Sequence, residues 1–214
     1  MVRSDTLNYI AERFQISLDS PSPIHIEKSN RPIMADCLKE LGFNVGVEVG
    51  VAEGFHSEIL LDGNPNLELY CVDPWHKEDG YHSYHNMRLK TFETVARDKL
   101  SRFGDRVHFV KDISMSAVHN FEDQSLDFVY IDGAHDFRHI AEDISEWILK
   151  IKPGGILYGH DFTTIVSGRW HCHVEDVVIA YAKSHLITPF FVLGQEGKPD
   201  GLYKQGELAW MYVC

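Results

Sequence analysis

Five short apolar runs constrain what this 214-residue chain can fold into more than any other feature. They span residues 45–49, 67–72, 107–111, 126–131 and 156–159. Runs that are apolar almost throughout mark parallel strands covered on both faces. Segments with helical spacing lie between them. The clearest follows Asp136, where Phe137, Ile140, Ala141, Ile144, Trp147, Ile148 and Ile151 form one stripe. Asp136 is placed as its N-cap, and Pro153-Gly154-Gly155 is expected to end it. Phe92, Val95, Ala96 and Leu100 predict another helix, and Val177, Val178 and Tyr181 a third after Val174. Two later strands fit 189–193 and 208–213, joined by a loop with Gly194, Gly197, Pro199, Gly201 and Gly206 that reads as mobile. Alternating strands and helices predict an α/β fold, a doubly wound and mostly parallel seven-stranded sheet with helices on both faces.

The first 43 residues read differently, as a helical extension ahead of a ligand-binding domain at 44–214. Leu7, Ile10, Ala11 and Phe14 recur at helical spacing, Ser20-Pro21-Ser22-Pro23 interrupts, and a second helix runs from about Ile33 to Leu41 before Gly42. The first helix leaves room for a homodimer. A net charge of -12 argues against a nucleic-acid partner, which calls for a Lys/Arg surplus. Cys37, Cys71, Cys172 and Cys214 are widely spaced and form no CxxC pair, as expected of a reducing compartment. Arg3 is followed by Asp5 and Glu12 rather than by the apolar core of a signal peptide, and no apolar stretch is long enough to cross a membrane. A soluble, cytoplasmic protein is the expectation.

The chemistry concentrates where the five runs end. The first closes on Glu48-Val49-Gly50, the next three reach Asp73, Asp112 and Asp132, and the fifth runs into His160-Asp161. In a doubly wound sheet these ends share one edge, where ligands bind. Like charges gathered there repel, and a cationic or hydroxyl-rich ligand, or a metal, offsets the cost. The turn after the first run contains Gly50 and Gly54, a GxxxG spacing rather than the GxGxxG of dinucleotide sites. Asp73 follows at roughly the 20-residue distance of a ribose-binding acid. The pattern points to a nucleoside without a pyrophosphate.

The acid-x-Gly-x-x-x-Gly loop with an acid closing the second strand resembles class I S-adenosylmethionine (SAM)-dependent methyltransferases. IDGAH at 131–135, KPGG at 152–155 and HDF at 160–162 are similar to the macrocin-type and catechol-type O-methyltransferases, over about residues 45–181. The resemblance implies a Rossmann-like fold with the SAM-binding methyltransferase domain at 44–214. It implies that Glu48, Gly50 and Gly54 shape the methionine pocket, that Asp73 holds the ribose, and that Asp112 and Ser114 lie by the adenine. Trp75 would cover the ring, and Asp132 would border the cofactor. The family has Ser or Thr two residues after the second glycine; here His56 stands there and Ser57 follows, so Ser57 is the candidate for the SAM carboxylate. Asp132 and Asp161 would bind a divalent metal, with His160 where an acid or amide often stands. Carboxylates suit Mg²⁺, and an imidazole tilts the set toward Mn²⁺ or Fe²⁺. His135 matches the general base. The implied reaction is methyl transfer to a hydroxyl oxygen of a small molecule, such as a sugar or vicinal diol. The alternatives are an NAD(P)-dependent oxidoreductase and a catalytically silent SAM-binding protein. Two further groups stand apart: His171-Cys172-His173, a weaker metal candidate, and Tyr81–His85, either an acceptor-pocket lining or a solvated loop.

Overall fold

The computed structural model describes residues 2–76, 89–167, 170–195 and 208–214. Its elements run α1 (Arg3–Phe14), β1 (Ile24–Ile26), α2 (Arg31–Glu40), β2 (Val45–Val49), α3 (Phe55–Gly63), β3 (Glu68–Val72), α4 (Leu89–Leu100), β4 (Val107–Val110), α5 (Ser114–Ala117), β5 (Leu126–Ile131), α6 (Phe137–Trp147), β6 (Ile151–Gly159), β7 (Thr164–Ser167), β8 (Trp170–His173), α7 (Val174–Ser184), β9 (Phe191–Leu193) and β10 (Ala209–Val213). The sheet order is β1-β9-β10-β6-β5-β2-β3-β4. Strands β4, β3, β2, β5 and β6 pair in parallel, and β10 lies antiparallel between β6 and β9.

The strands alternate faces, which gives the molecule two cores. From β5, Phe128 and Tyr130 join the side packed by α1 to α4, through Leu7, Met34, Leu60 and Ala96. Val129 and Ile131 face the other side, with Ile144 and Trp147 of α6 and Val178 of α7. The expected α/β class and both late strands are present. The sheet has eight strands rather than seven, because Ile24–Ile26 pairs in parallel with β9. Those three residues belong to the segment expected to be helical only; with Ile24 and Ile26 buried and His25 exposed, they follow strand periodicity.

Two other expectations change. Pro153-Gly154-Gly155 does not end a helix but lies inside β6, while α6 stops at Trp147. Gly154 N donates to Cys214 O and Cys214 N to Gly155 O, so pairing with the C-terminal strand outweighs the local turn signal. Phe137, counted on the apolar stripe, is 57% exposed. The segment before α7 forms an antiparallel β7–β8 pair. Asp136 does cap α6, accepting from Arg138 N and His139 N. The loop after β9 and the Tyr81–His85 segment fall outside the described residues, apart from Gly194 and Gln195 at the loop's start. No helix is long and apolar enough to cross a membrane among the described residues.

Candidate active site

Strand order reverses between β2 and β5, and this switch point is where an open α/β sheet leaves a crevice. The two strand ends approach closely there. Asp132 N donates to Val49 O at 2.8 Å. A Cβ on Gly50, whose φ is +88°, would sit 2.2 Å from the Asp132 carbonyl oxygen, so only glycine fits. Beyond these ends opens a cleft of about 270 Å³. Gly50, Asp73, Trp75, Ser114 and Asp132 line it, as do the loop residues Gly133 and Ala134.

Asp73 ties the glycine loop to the end of β3. One of its carboxylate oxygens accepts from Ala52 N at 2.9 Å, the other from Trp75 N at 2.6 Å. The Trp75 indole N–H returns a bond to Ala52 O at 2.9 Å. The ring is buried, with Arg97 and Phe109 against it, so Trp75 forms a fixed wall of the cleft. Ser114 receives the Trp147 indole N–H at 2.8 Å and donates to the buried Asp143.

Next to the cleft, three side chains converge. His135 Nε2 is 2.9 Å from Asp161 Oδ2 and 3.5 Å from Asp132 Oδ1. Burial alone would discharge the imidazole, but hydrogen bonds to the two aspartates, and their charges, outweigh it and hold its pKa well above the ordinary histidine value. Asp132 shifts the opposite way: burial pushes it up, and the His135 hydrogen bond with the charges of His160 and Arg31 brings it below the usual carboxylate range. Asp161 has a φ of +54°, in the left-handed region that aspartate tolerates better than most residues. One donor atom each from Asp132, His135 and Asp161 lies within 4.8 Å of the others, close enough for one cation. The backbone N–H of His173 donates to His135 O at 2.8 Å and fastens β8 to this loop.

The sequence of residues 47–162, more than half of the chain, matches a family described as a methyltransferase domain. The chain belongs to this family. Residues 47–162 are thus a methyltransferase domain. The uncharacterized protein y4gI of Sinorhizobium fredii (strain NBRC 101917 / NGR234) is 25% identical over 124 residues, which cover 54% of this chain and 13% of that relative. The chain thus spans a small part of the curated relative it matches. Among solved structures, an O-methyltransferase from Bacillus cereus in complex with SAH has a TM-score of 0.61 at 14% identity, covering 99% of this chain and 90% of that one. An rRNA methylase from Streptococcus thermophilus has 0.57 at 12%, covering 85% and 93%. The 1,6-didemethyltoxoflavin-N1-methyltransferase from Burkholderia thailandensis has 0.53 at 15%, covering 99% and 86%. The named reactions of these proteins differ, so the shared fold leaves the acceptor open.

Within the methyltransferase, the remaining expected site residues fall in several places. Glu48 is buried beneath the glycine loop and accepts from Ser57 Oγ; neither side chain lines the cleft. Burial raises the Glu48 pKa to about 8, against the smaller pull of the Ser57 hydrogen bond. Gly54, at φ +74°, starts α3 and packs on Ala96 and Leu100, outside the cleft lining. His56 turns the other way, with its ring 4.0 Å from that of Tyr130 and Nε2 3.2 Å from the Tyr158 hydroxyl. Asp112 accepts from Ile113 N and is also outside the lining. His160 lies across Asp161 from His135, with Nδ1 3.4 Å from Asp161 Oδ1. His171 and His173 have ring centroids 6.0 Å apart, and Cys172 is buried with its thiol near Asp161 O and Thr163 O.

Sequence reasoning missed Asp143 and Arg31. Asp143 is 3% exposed on α6, facing the cleft. Its signal was present, since a carboxylate among Ile140, Ile144 and Trp147 interrupts the buried stripe. Arg31, 5% exposed at the start of α2, donates to the Tyr130 hydroxyl at 2.5 Å and lies 3.5 Å from Asp132 Oδ2. No local pattern announces a contact across a separation of 101 residues.

Proposed function

We propose that the methyltransferase carries a methyl group from SAM to a hydroxyl oxygen of a small molecule, assisted by a divalent ion at Asp132 and Asp161, with His135 beside them as the base. The convergence of those three side chains beside the cofactor cleft carries the reading. Two carboxylates suit Mg²⁺, and the imidazole of His160 beside Asp161 would tilt the set toward Mn²⁺ or Fe²⁺. Such an ion, when bound, supplies Lewis-acid polarisation of acceptor oxygens. The acidic net charge favours a small acceptor over nucleic acid.

The chain's own residues divide the remaining work. Asp73, anchored by two backbone N–H groups, presents its carboxylate to the ribose hydroxyls. Ser114 and Asp143 border the adenine end, and Trp75 bounds the ring. Gly50 brings the methionine end against Asp132. Alignment of donor and acceptor supplies most of the rate in such a displacement. His135 is the general base. Between two carboxylates it is held as the imidazolium, and it becomes the neutral base only once their charge is balanced.

Calorimetric titration with S-adenosylhomocysteine (SAH), with and without Mn²⁺ or Mg²⁺, tests this reading. Micromolar SAH affinity and a metal heat abolished by Asp132→Ala are expected. No SAH binding with tight NADH binding would favour the oxidoreductase instead. The acids crowding this edge, and the missing GxGxxG, already weigh against a pyrophosphate.

A further inference from the structure

Behind Asp132, on the side of the sheet packed by α1 to α4, stand two buried donors, Arg31 and Tyr130. Tyr130 and Asp132 are two residues apart where β5 ends, so strand periodicity puts them on one face. The Tyr130 ring is held against those of His56 and Tyr158, with centroids 4.0 and 4.7 Å away. Arg31 reaches this face from the start of α2, and its backbone is fixed on both sides. Just before it, β1 pairs with β9. The Asn30 side chain caps α2 by accepting from Ile33 N at 2.9 Å.

Hydrogen-bond chemistry gives this arrangement a direction. Arg31 Nη1 donates to the Tyr130 hydroxyl at 2.5 Å, and that hydroxyl lies 3.1 Å from Asp132 Oδ2. A guanidinium can only donate, and a hydroxyl has one proton to give. With Arg31 on a lone pair of the hydroxyl, the Tyr130 proton is directed to Oδ2. Arg31 Nη2 stands 3.5 Å from the same oxygen. Oδ2 therefore faces two donors, while Oδ1 is turned to His135. Neither Arg31 nor Tyr130 lines the cofactor cleft.

We propose that Arg31 and Tyr130 are positioning residues that lock the Asp132 carboxylate, so that a divalent ion meets Oδ1 in one fixed orientation. The inference rests on the ion site proposed above at Asp132 and Asp161. Arg31 sets the hydroxyl, and the hydroxyl sets the carboxylate. Partners that hold a metal-binding carboxylate typically account for about 10–100-fold in metal affinity. The charge of Arg31 by itself opposes a neighbouring cation, so its charge and its positioning act on metal affinity in opposite directions.

The test is calorimetric titration of SAH-saturated protein with Mn²⁺, with SAH affinity as the check on folding. Tyr130→Phe keeps the ring and removes the hydroxyl, and should weaken Mn²⁺ binding roughly tenfold. Arg31→Gln should weaken it by about threefold or more, where loss of charge alone would tighten it. In the Tyr130→Phe background the same exchange should bring no further loss, because its route to Asp132 is already cut. Arg31→Lys keeps the charge without the fork and should also weaken binding, which decides the question if the glutamine variant fails to fold. Unchanged Mn²⁺ affinity in Tyr130→Phe overturns the proposal. So do Arg31 substitutions that leave Mn²⁺ affinity unchanged or raise it, or that lower it equally in both backgrounds. If the unmodified protein binds SAH but not Mn²⁺, the ion site falls and this inference with it. Full Mn²⁺ binding in every variant overturns the inference alone, so the two failures are distinguishable.

Discussion

Glu48→Gln should make the protein more stable at neutral pH although it removes a hydrogen-bonded carboxyl group. Glu48 is 2% exposed, and burial lifts its pKa from 4.5 to about 8. The folded state therefore keeps a proton that the unfolded chain gives up. Unfolding releases that proton, so stability falls as pH rises from 4.5 toward about 8. At about 1.4 kcal/mol per pH unit, most of that interval amounts to roughly 3 kcal/mol. Glutamine has the shape of the protonated acid, retains an acceptor for Ser57, and does not titrate. Urea unfolding of both proteins near pH 5 and about pH 8 gives four free energies. Their double difference isolates Glu48 from every other titrating group, His135 included. Wild type should lose about 3 kcal/mol more than the variant over this range. Parallel pH dependence in the two proteins would show that Glu48 is ionised in the folded state, and that the burial argument is wrong.

Other outcomes follow from the same geometry. His135→Ala should abolish most turnover while SAH affinity stays nearly unchanged; metal titration of the variant then separates the base, which leaves metal affinity intact, from a ligand, which does not. Without a divalent ion, the raised His135 pKa contributes stability that is complete below about 6.5 and lost as pH rises through the folded value. The lowered Asp132 pKa contributes above about 3.8, so thermal melts of ion-free protein should show this pair's full effect only between those limits, and His135→Ala should flatten the upper side. Asp73→Ala should weaken SAH binding by about 1.5–3 kcal/mol and lower the melting temperature, since it also releases Ala52 N and Trp75 N; unchanged calorimetric affinity would remove Asp73 from the site. Gly50→Ala should destabilise by about 3 kcal/mol, combining a left-handed φ with a backbone clash, and a near-native denaturant midpoint would refute the close approach of β2 and β5.

What was legible in the sequence was what local patterns encode. Buried parallel strands show as apolar runs, so β2 to β6 and the acids at their ends could be read directly. Ile24–Ile26 is too short for a clear pattern, and its strand identity comes from the partner it finds in β9. The contact of Arg31 with Asp132 depends on how α2 lies over the sheet, which no local spacing states. His56 shows the limit of transferring a position: it stands where a cofactor contact was sought, but α3 directs its ring at Tyr130. The same holds for His135 and His160, which the sequence sets beside one acid or another without saying which faces which oxygen. The folded chain turns Asp161 Oδ2 to His135 and Oδ1 to His160.

The placement of β1 gives the first 43 residues a double duty. They occupy the exposed margin of the sheet along β9, and a few residues later they deliver Arg31 to Tyr130 and Asp132. Trimming the chain at residue 44 would therefore uncover a row of backbone N–H and C=O groups able to template pairing with a neighbouring molecule. The same cut would remove the guanidinium beside Asp132, the proposed metal ligand, so both solubility and activity are expected to fall with one deletion.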